Sequence, residues 1–193
     1  MRNSLSNGPK LRVFVYVMKQ DDPKKCTSAK LVKMSLARPL RSRSMIPKRA
    51  VVLNPSASTV LLPSDREYVR RSGVVAIDCS WNNAGAVFIS RFPGVNRRLP
   101  SLLAANPVSY GRLGRLSSAE ALAASLIITQ FTEEGKRLLE IFKWGPTFLT
   151  LNHDPLMDYS RVKDLKELSE AEESYFGVRS DLMLAGVRRP SIY

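Results

Sequence analysis

The apolar positions of this chain change their period part-way along it. Residues 11–18, "LRVFVYVM", are rich in β-branched and aromatic side chains and predict a first strand. Asp-Asp-Pro at 21–23 then signals a turn, and Thr27 is placed as the N-cap of a short helix through Leu31 and Met34. Residues 38–49, "RPLRSRSMIPKR", hold five basic residues and two prolines and read as an exposed basic loop or edge segment. "AVVLNP" at 50–55 is a short buried strand that stops at a proline. Residues 64–73 read as a helix with a serine cap and a glycine stop. "VVAID" at 74–78 is too uniformly apolar for an edge and predicts a central parallel strand. Strand and helix patterns alternate to this point, so the first half is α/β.

The β signals then fade. "RFPGVNRRLP" at 91–100 reads as a basic loop, "SLLAANP" at 101–107 as a short helix stopped at Asn106-Pro107, and "VSYGRLGR" at 108–115 as a glycine-rich loop. Ser117-x-x-Glu120 is a capping-box pattern opening an apolar helix. Residues 133–145 form a further amphipathic helix closed by Gly145, and helical pieces continue beyond it. The expected organisation is an N-terminal α/β domain over 1–90 followed by an all-α domain over 91–193, with no internal repeat.

Composition narrows the class. A chain of 193 residues, 44% apolar, can bury a core as one domain or two closely packed lobes. No apolar run reaches bilayer-spanning length, and the first ten residues lack the apolar stretch of a signal peptide. Two cysteines, Cys26 and Cys79, and the single His153 argue against a disulfide framework and a Cys/His metal site, so no metal and a cytosolic location are expected. Charge says more: 30 Lys and Arg against 17 acids give a net +13, which suits a partner made of phosphates. A generally basic proteome or adaptation to heat is the competing account.

Asp78 ends the predicted central strand, at the carboxyl edge where open α/β sheets bind ligands. There it can hold a sugar hydroxyl, a cation or a substrate proton, with Trp81 one turn further on as an apolar wall. On pattern alone, a helix-capping aspartate beside a core tryptophan is the favoured account. Cys79 would need a base to act as a nucleophile, and His153 sits in an acidic loop, which argues against a Cys–His enzyme. The helix start at Thr27 suits a carboxylate or phosphate, although ordinary capping explains it too. Neither G-x-G-x-x-G nor a Walker A pattern is present.

Four stretches in this order, "DPKKCTSAKL", "IDCSWN", "RRLPSLLAANPVSYGRLGRLSSAEALAASL" and "FKWGPTFLTLN", resemble the small-subunit rRNA aminocarboxypropyltransferases. The resemblance covers residues 11–159, and the third stretch is its most specific part. It implies a SPOUT-related α/β domain with a deep trefoil knot, then a helical domain, with S-adenosylmethionine bound between them and the chain acting as a monomer. It implies transfer of the 3-amino-3-carboxypropyl arm to N3 of a pseudouridine, N1-methylated in many members, in a small-subunit rRNA hairpin. Methylthioadenosine is the by-product.

Carried over by position, the resemblance implies that Thr27 holds the cofactor carboxylate and that the Ser118 amide supports the same arm. Leu53 and Pro55 would pack on the adenine, and the Ile77 backbone would meet the ribose. Leu99 and Gly114 would read the adenine edge, with Leu116 and Ala121 lining the pocket. Trp81 and Ala84 would bury the methyl group, and Asp78 is the hypothesised base or the group that orients it. Ser28 stands where many members carry glycine. The expected phosphate contacts are Lys24, Lys25, Lys30, Arg41, Arg43, Lys48, Arg49, Arg91, Arg97 and Arg98. Two rival functions are a SPOUT-type methyltransferase and a non-catalytic RNA-binding assembly factor.

Overall fold

A computed structural model describes residues 11–18, 26–79, 87–88 and 91–183. Its centre is a sheet of five parallel strands: β1 (Val13–Val17), β2 (Arg38–Leu40), β3 (Val51–Leu53), β4 (Val74–Asp78) and β5 (Val95–Arg97). Their spatial order is β2-β1-β4-β3-β5. β1 and β4 are the innermost pair of long strands, in register from Val13 opposite Val74 to Val17 opposite Asp78. Both are near-continuous apolar runs because both faces of the sheet are covered.

Strand alternation sorts the side chains. Val13, Val15, Val51, Leu53, Val74 and Ala76 join a core shared with helices α1 (Thr27–Lys33), α2 (Arg66–Ser72) and α3 (Ser118–Ile128). Phe14, Val52, Val75 and Ile77 face the other way, onto Leu40, Ile46, Phe88 and Phe92. α3 packs on both β4 and α1. It is apolar nearly all round because it is buried nearly all round. Among the described residues, further helices are α4 (Thr132–Leu139), α5 (Gly145–Leu151), α6 (His153–Tyr159), α7 (Leu165–Phe176) and α8 (Ser180–Met183). Among the described residues no helix is long and apolar enough to cross a membrane.

The structure supports the α/β class and corrects the SPOUT-like knot that the resemblance implied. The described residues show a five-stranded parallel sheet with helices on it, and a trefoil knot has no support in them. A knot is a property of how distant segments thread, which no local pattern encodes.

Other expectations shift locally. Residues 91–100 contain β5, which pairs with β3 from Val51 opposite Val95 to Leu53 opposite Arg97. The sheet therefore takes its edge strand from beyond residue 90. Residues 101–107 form no helix. α1 is capped by Cys26, whose Sγ accepts the Ala29 N–H, and Thr27 is its first helical residue. Ser64 lies in a 3-10 turn before α2, and Gly145 opens α5. Gly73 does end α2, at φ +87°, where a Cβ would collide with the Arg12 carbonyl.

Candidate active site

The two central strands send the chain in opposite directions: β1 leads to β2 on one side, and β4 leads to β5 on the other. The carboxyl ends of such a pair form the ligand crevice of an open α/β sheet. Asp78 is the last residue of β4 there, opposite Val17.

Asp78 is not a free carboxylate. Its Oδ1 accepts the Ser28 hydroxyl at 2.9 Å, and the Cys26 Sγ lies 3.3 Å from both carboxylate oxygens. Ser28 is fully buried, whereas Cys26, Thr27 and Asp78 are half-buried. Burial pushes the Cys26 thiol pKa up, and the neighbouring Asp78 charge adds to the rise. Cys26 is therefore a protonated donor at neutral pH rather than a thiolate nucleophile. Thr27 stands between two residues that Asp78 grips. A carboxylate offers about four acceptor positions, so Asp78 keeps capacity for one more partner.

The second part of the site is residues 98–118, an irregular segment held by buried side chains from distant helices. Glu172 of α7 accepts the Ser101 N–H at 2.7 Å. Asn152, between α5 and α6, exchanges hydrogen bonds with both backbone groups of Leu103, at 2.8 and 2.9 Å. Glu120 of α3 is fully buried and accepts the N–H groups of Ala105, Asn106 and Ser117 at 2.6 to 2.8 Å, plus the Asn106 side-chain amide at 2.7 Å. Glu120 thereby claims the Ala105 and Asn106 N–H groups, the two backbone donors that a helix over 101–107 would use, since its first four N–H groups would have no intrahelical partner and Pro107 has no N–H. The capping box at Ser117 and Glu120 is present as the sequence predicts. The wider role of Glu120, and the roles of Asn152 and Glu172, carry no local sequence signal.

Gly114, at φ +70°, donates its N–H to the Leu102 carbonyl at 2.8 Å, which folds the segment back on itself. Leu116 is buried, Ser118 is the first residue of α3, and Leu99 and Ala121 pack on the same core as Leu53. Thus Leu53, Leu99, Leu116 and Ala121 share one apolar cluster on the α3 side of the sheet. Ile77 points its side chain to the opposite face, and Pro55 is exposed just past β3. Trp81, Ala84, Lys24 and Lys25 lie outside the described residues.

The basic residues divide. Arg97 forks onto Asp65 at 2.9 to 3.1 Å, with Asp65 nearly buried. Arg98 is 6% exposed and donates to the carbonyls of Ser58 at 2.8 Å and Ser180 at 2.9 Å. Both bind the protein's own interior. Lys30 reaches the Ile141 carbonyl and lies 4.8 Å over the Phe142 ring. Arg43 reaches the Arg91 carbonyl and lies 4.7 Å over Phe92. Arg41, Lys48, Arg49 and Arg91 are exposed. Among the described residues no cluster of His, Cys, Asp and Glu suits a metal ion. His153 bonds Asp154 at the start of α6.

The fold and site define an α/β protein with an anionic centre in its switch-point crevice and a basic exterior. Residues 51–176 match the family described as "Ribosome biogenesis protein, C-terminal". The chain is 42% identical over 165 residues, 85% of its length, to a 16S rRNA aminocarboxypropyltransferase of Methanocaldococcus jannaschii, covering 95% of that protein. It is 45% identical over 163 residues, 84% of its length, to the enzyme of the same name from Thermoplasma acidophilum, covering 97% of it. A solved structure of the SAM-dependent rRNA:acp-transferase Tsr3 from Vulcanisaeta distributa superimposes with a TM-score of 0.80 at 37% identity, over 91% of this chain and 97% of that one. The chain belongs to this aminocarboxypropyltransferase family. A second match, to a "Possible Fer4-like domain in RNase L inhibitor, RLI", spans residues 11–44. That span holds one cysteine, Cys26, where an iron–sulfur cluster needs several thiolates.

Proposed function

We propose that this chain transfers the 3-amino-3-carboxypropyl group of S-adenosylmethionine to N3 of a pseudouridine in small-subunit rRNA, releasing methylthioadenosine. The coarser part follows from family membership: it is a SAM-dependent rRNA aminocarboxypropyltransferase, with SAM as donor substrate. The acceptor nucleotide, the by-product, and action as a cytosolic monomer on the pre-ribosomal small subunit are our reading. The observation that best supports the site is the Asp78 carboxylate at the switch point, holding the turn that presents Thr27.

The residues present suit such a donor. A half-buried carboxylate favours its sulfonium and ammonium charges, the Thr27 hydroxyl and amide suit its carboxylate, and Leu53, Leu99, Leu116 and Ala121 offer apolar surface to the adenine. The Gly114 N–H is already engaged, so reading of the adenine edge there falls to its carbonyl. The Ser118 amide and the Ile77 backbone keep their proposed roles at the arm and the ribose, and Pro55 its role at the adenine.

The reaction is a displacement at the arm carbon bonded to sulfur. N3 forms the new bond, the carbon–sulfur bond breaks, and its electron pair leaves on the neutral thioether. Three carbons surround the sulfonium, so the protein must select one by orientation. Trp81 and Ala84 would shield the methyl group. The N3 proton needs an acceptor, and Asp78 has acceptor capacity left for it, directly or through water. Phosphates would be followed by Lys24, Lys25, Lys30, Arg41, Arg43, Lys48, Arg49 and Arg91; Arg97 and Arg98, committed to the interior, are left out.

Two SAM samples, one labelled in the carboxyl and one in the methyl group, test the reading on small-subunit rRNA. Label from the carboxyl sample alone is expected in RNA, in a pseudouridine nucleoside by mass spectrometry. Label from the methyl sample alone would sink it in favour of a methyltransferase.

A further inference from the structure

A groove of about 300 Å³ opens at the other end of the sheet, lined by Arg49, Glu67, Tyr68, Arg71 and Ser72. Arg49 lies two residues before β3, and Ser72 ends α2 immediately before Gly73 and β4. The groove therefore sits at the amino-terminal edge. Asp78 sits at the carboxyl edge, four residues further along β4, which is roughly 13 Å of strand. Nothing in the active-site chemistry uses this groove.

Its chemistry is that of an RNA contact. Tyr68, on α2, is 43% exposed. Arg71 follows it by three residues, on the same side of the helix. Arg12 reaches the Arg71 carbonyl and so ties β1's approach to the end of α2. The one acid, Glu67, is neutralised locally: Arg70 and Arg71 both bond it, and the Arg70 hydrogen bond foremost holds its pKa down to about 2. Two guanidinium groups, Arg49 and Arg71, thus line the groove with one paired carboxylate and one exposed tyrosine. Free inorganic anions would use the arginines but not the ring. A nucleotide uses both, its base stacking on the aromatic face and its phosphates meeting arginine.

The segment between β2 and β3 supplies the path. It leaves the carboxyl end of edge strand β2 and must return to the amino end of β3, because the strands are parallel. Along it the exposed Arg41, Arg43, Lys48 and Arg49 run from the Asp78 edge to the groove.

We propose that this groove is a second RNA anchor, which takes an unpaired nucleotide of the rRNA substrate on Tyr68 and its phosphates on Arg49 and Arg71, remote from the reacting base. The inference rests on the rRNA-modifying reading and adds a length requirement to the substrate. The test compares a minimal acceptor hairpin with the same hairpin extended by about ten unpaired nucleotides on each side, a usual single-strand site size.

The full-length enzyme is expected to show about tenfold higher kcat/KM on the extended RNA, the size expected of one stacked base with its phosphates. Tyr68→Ala and Arg71→Gln should each remove most of that preference, and Tyr68→Phe should keep it. Equal kcat/KM on the two RNAs in the parent enzyme, or a preference that survives both variants, overturns the anchor. If neither RNA accepts the arm although SAM binds, the functional reading fails separately. Anisotropy of the extended RNA then decides the groove: weaker binding by Tyr68→Ala supports it, and equal binding overturns it.

Discussion

The buried Ser28 hydroxyl donates to Asp78 Oδ1 at 2.9 Å, tying the first turn of α1 to the last residue of β4. With the Cys26 thiol 3.3 Å from the same carboxylate, the bond fixes the residues on either side of Thr27. Asp78 thus ties down the turn around Thr27 and, in the proposed reaction, would also receive the proton.

Substitutions can separate those tasks. Ser28→Ala removes one hydrogen bond, worth about 1 kcal/mol, and is expected to raise KM for SAM about fivefold with kcat held. Asp78→Asn keeps an acceptor oxygen for Ser28 but removes the basic carboxylate. It should therefore lower kcat by about a hundredfold, the lower range for a general base. Steady-state kinetics at saturating RNA read both. Normal turnover in Asp78→Asn would end the base role while leaving the positioning role intact.

Glu120 holds the irregular segment by four donors. Glu120→Ala strands three backbone N–H groups and an amide, at about 1 kcal/mol or more each. Thermal unfolding should show a loss of about 3–5 kcal/mol, roughly 10 °C in Tm for a chain of this size. A shift under about 2 °C would mean the segment holds itself.

Gly73→Ala is expected to destabilise by about 2 kcal/mol, because an alanine at φ +87° is strained and its Cβ meets the Arg12 carbonyl. Chemical denaturation measures this. SAM affinity of the folded fraction should not change, since Gly73 lies at the amino edge of the sheet.

The raised thiol pKa of Cys26 has a direction that can be checked. A folded pKa above the unfolded value favours the protonated state. Its contribution to stability is complete below the unfolded thiol value and is lost as pH rises through the folded one. Alkylation at Cys26, read by peptide mass spectrometry, should begin at higher pH in the folded protein than in urea. Identical pH profiles would contradict the clasp.

Affinity for rRNA should fall steeply with salt. Of the ten expected phosphate contacts, six described ones, Lys30, Arg41, Arg43, Lys48, Arg49 and Arg91, are exposed. If all meet phosphates, log K against log salt should slope at about −4, at roughly −0.7 per single-strand contact. A flat response would remove phosphate tracking.

Read without its structure, the chain already shows β1 as a strand and β4 as a central parallel one, because a strand covered on both faces must be apolar throughout. The capping box at Ser117 and Glu120 and the glycine stop at Gly73 are equally local, each needing only neighbours within a turn. Asp78 at a strand end and a helix start near Thr27 are legible for the same reason, although pattern alone favours a capping role for Asp78 and places the cap at Thr27 instead of Cys26; the four family stretches imply the chemistry.

Tertiary structure decides the rest. Three residues of β5 become a strand only because β3 offers an open edge. "SLLAANP" stays non-helical because Glu120 takes the Ala105 and Asn106 N–H groups that a helix would need, while Glu172 and Asn152 hold the backbone at Ser101 and Leu103. Arg97 and Arg98 look like solvent charges in sequence, yet Asp65 and buried carbonyls claim them. Strand order and the threading of the chain likewise depend on contacts between distant segments, which is why the expected knot could not be read from pattern. Local chemistry determined β1, β4, the capping box of α3 and the glycine end of α2; pairing across the fold determined β5, the irregular 98–118 segment and which polar groups are held inside.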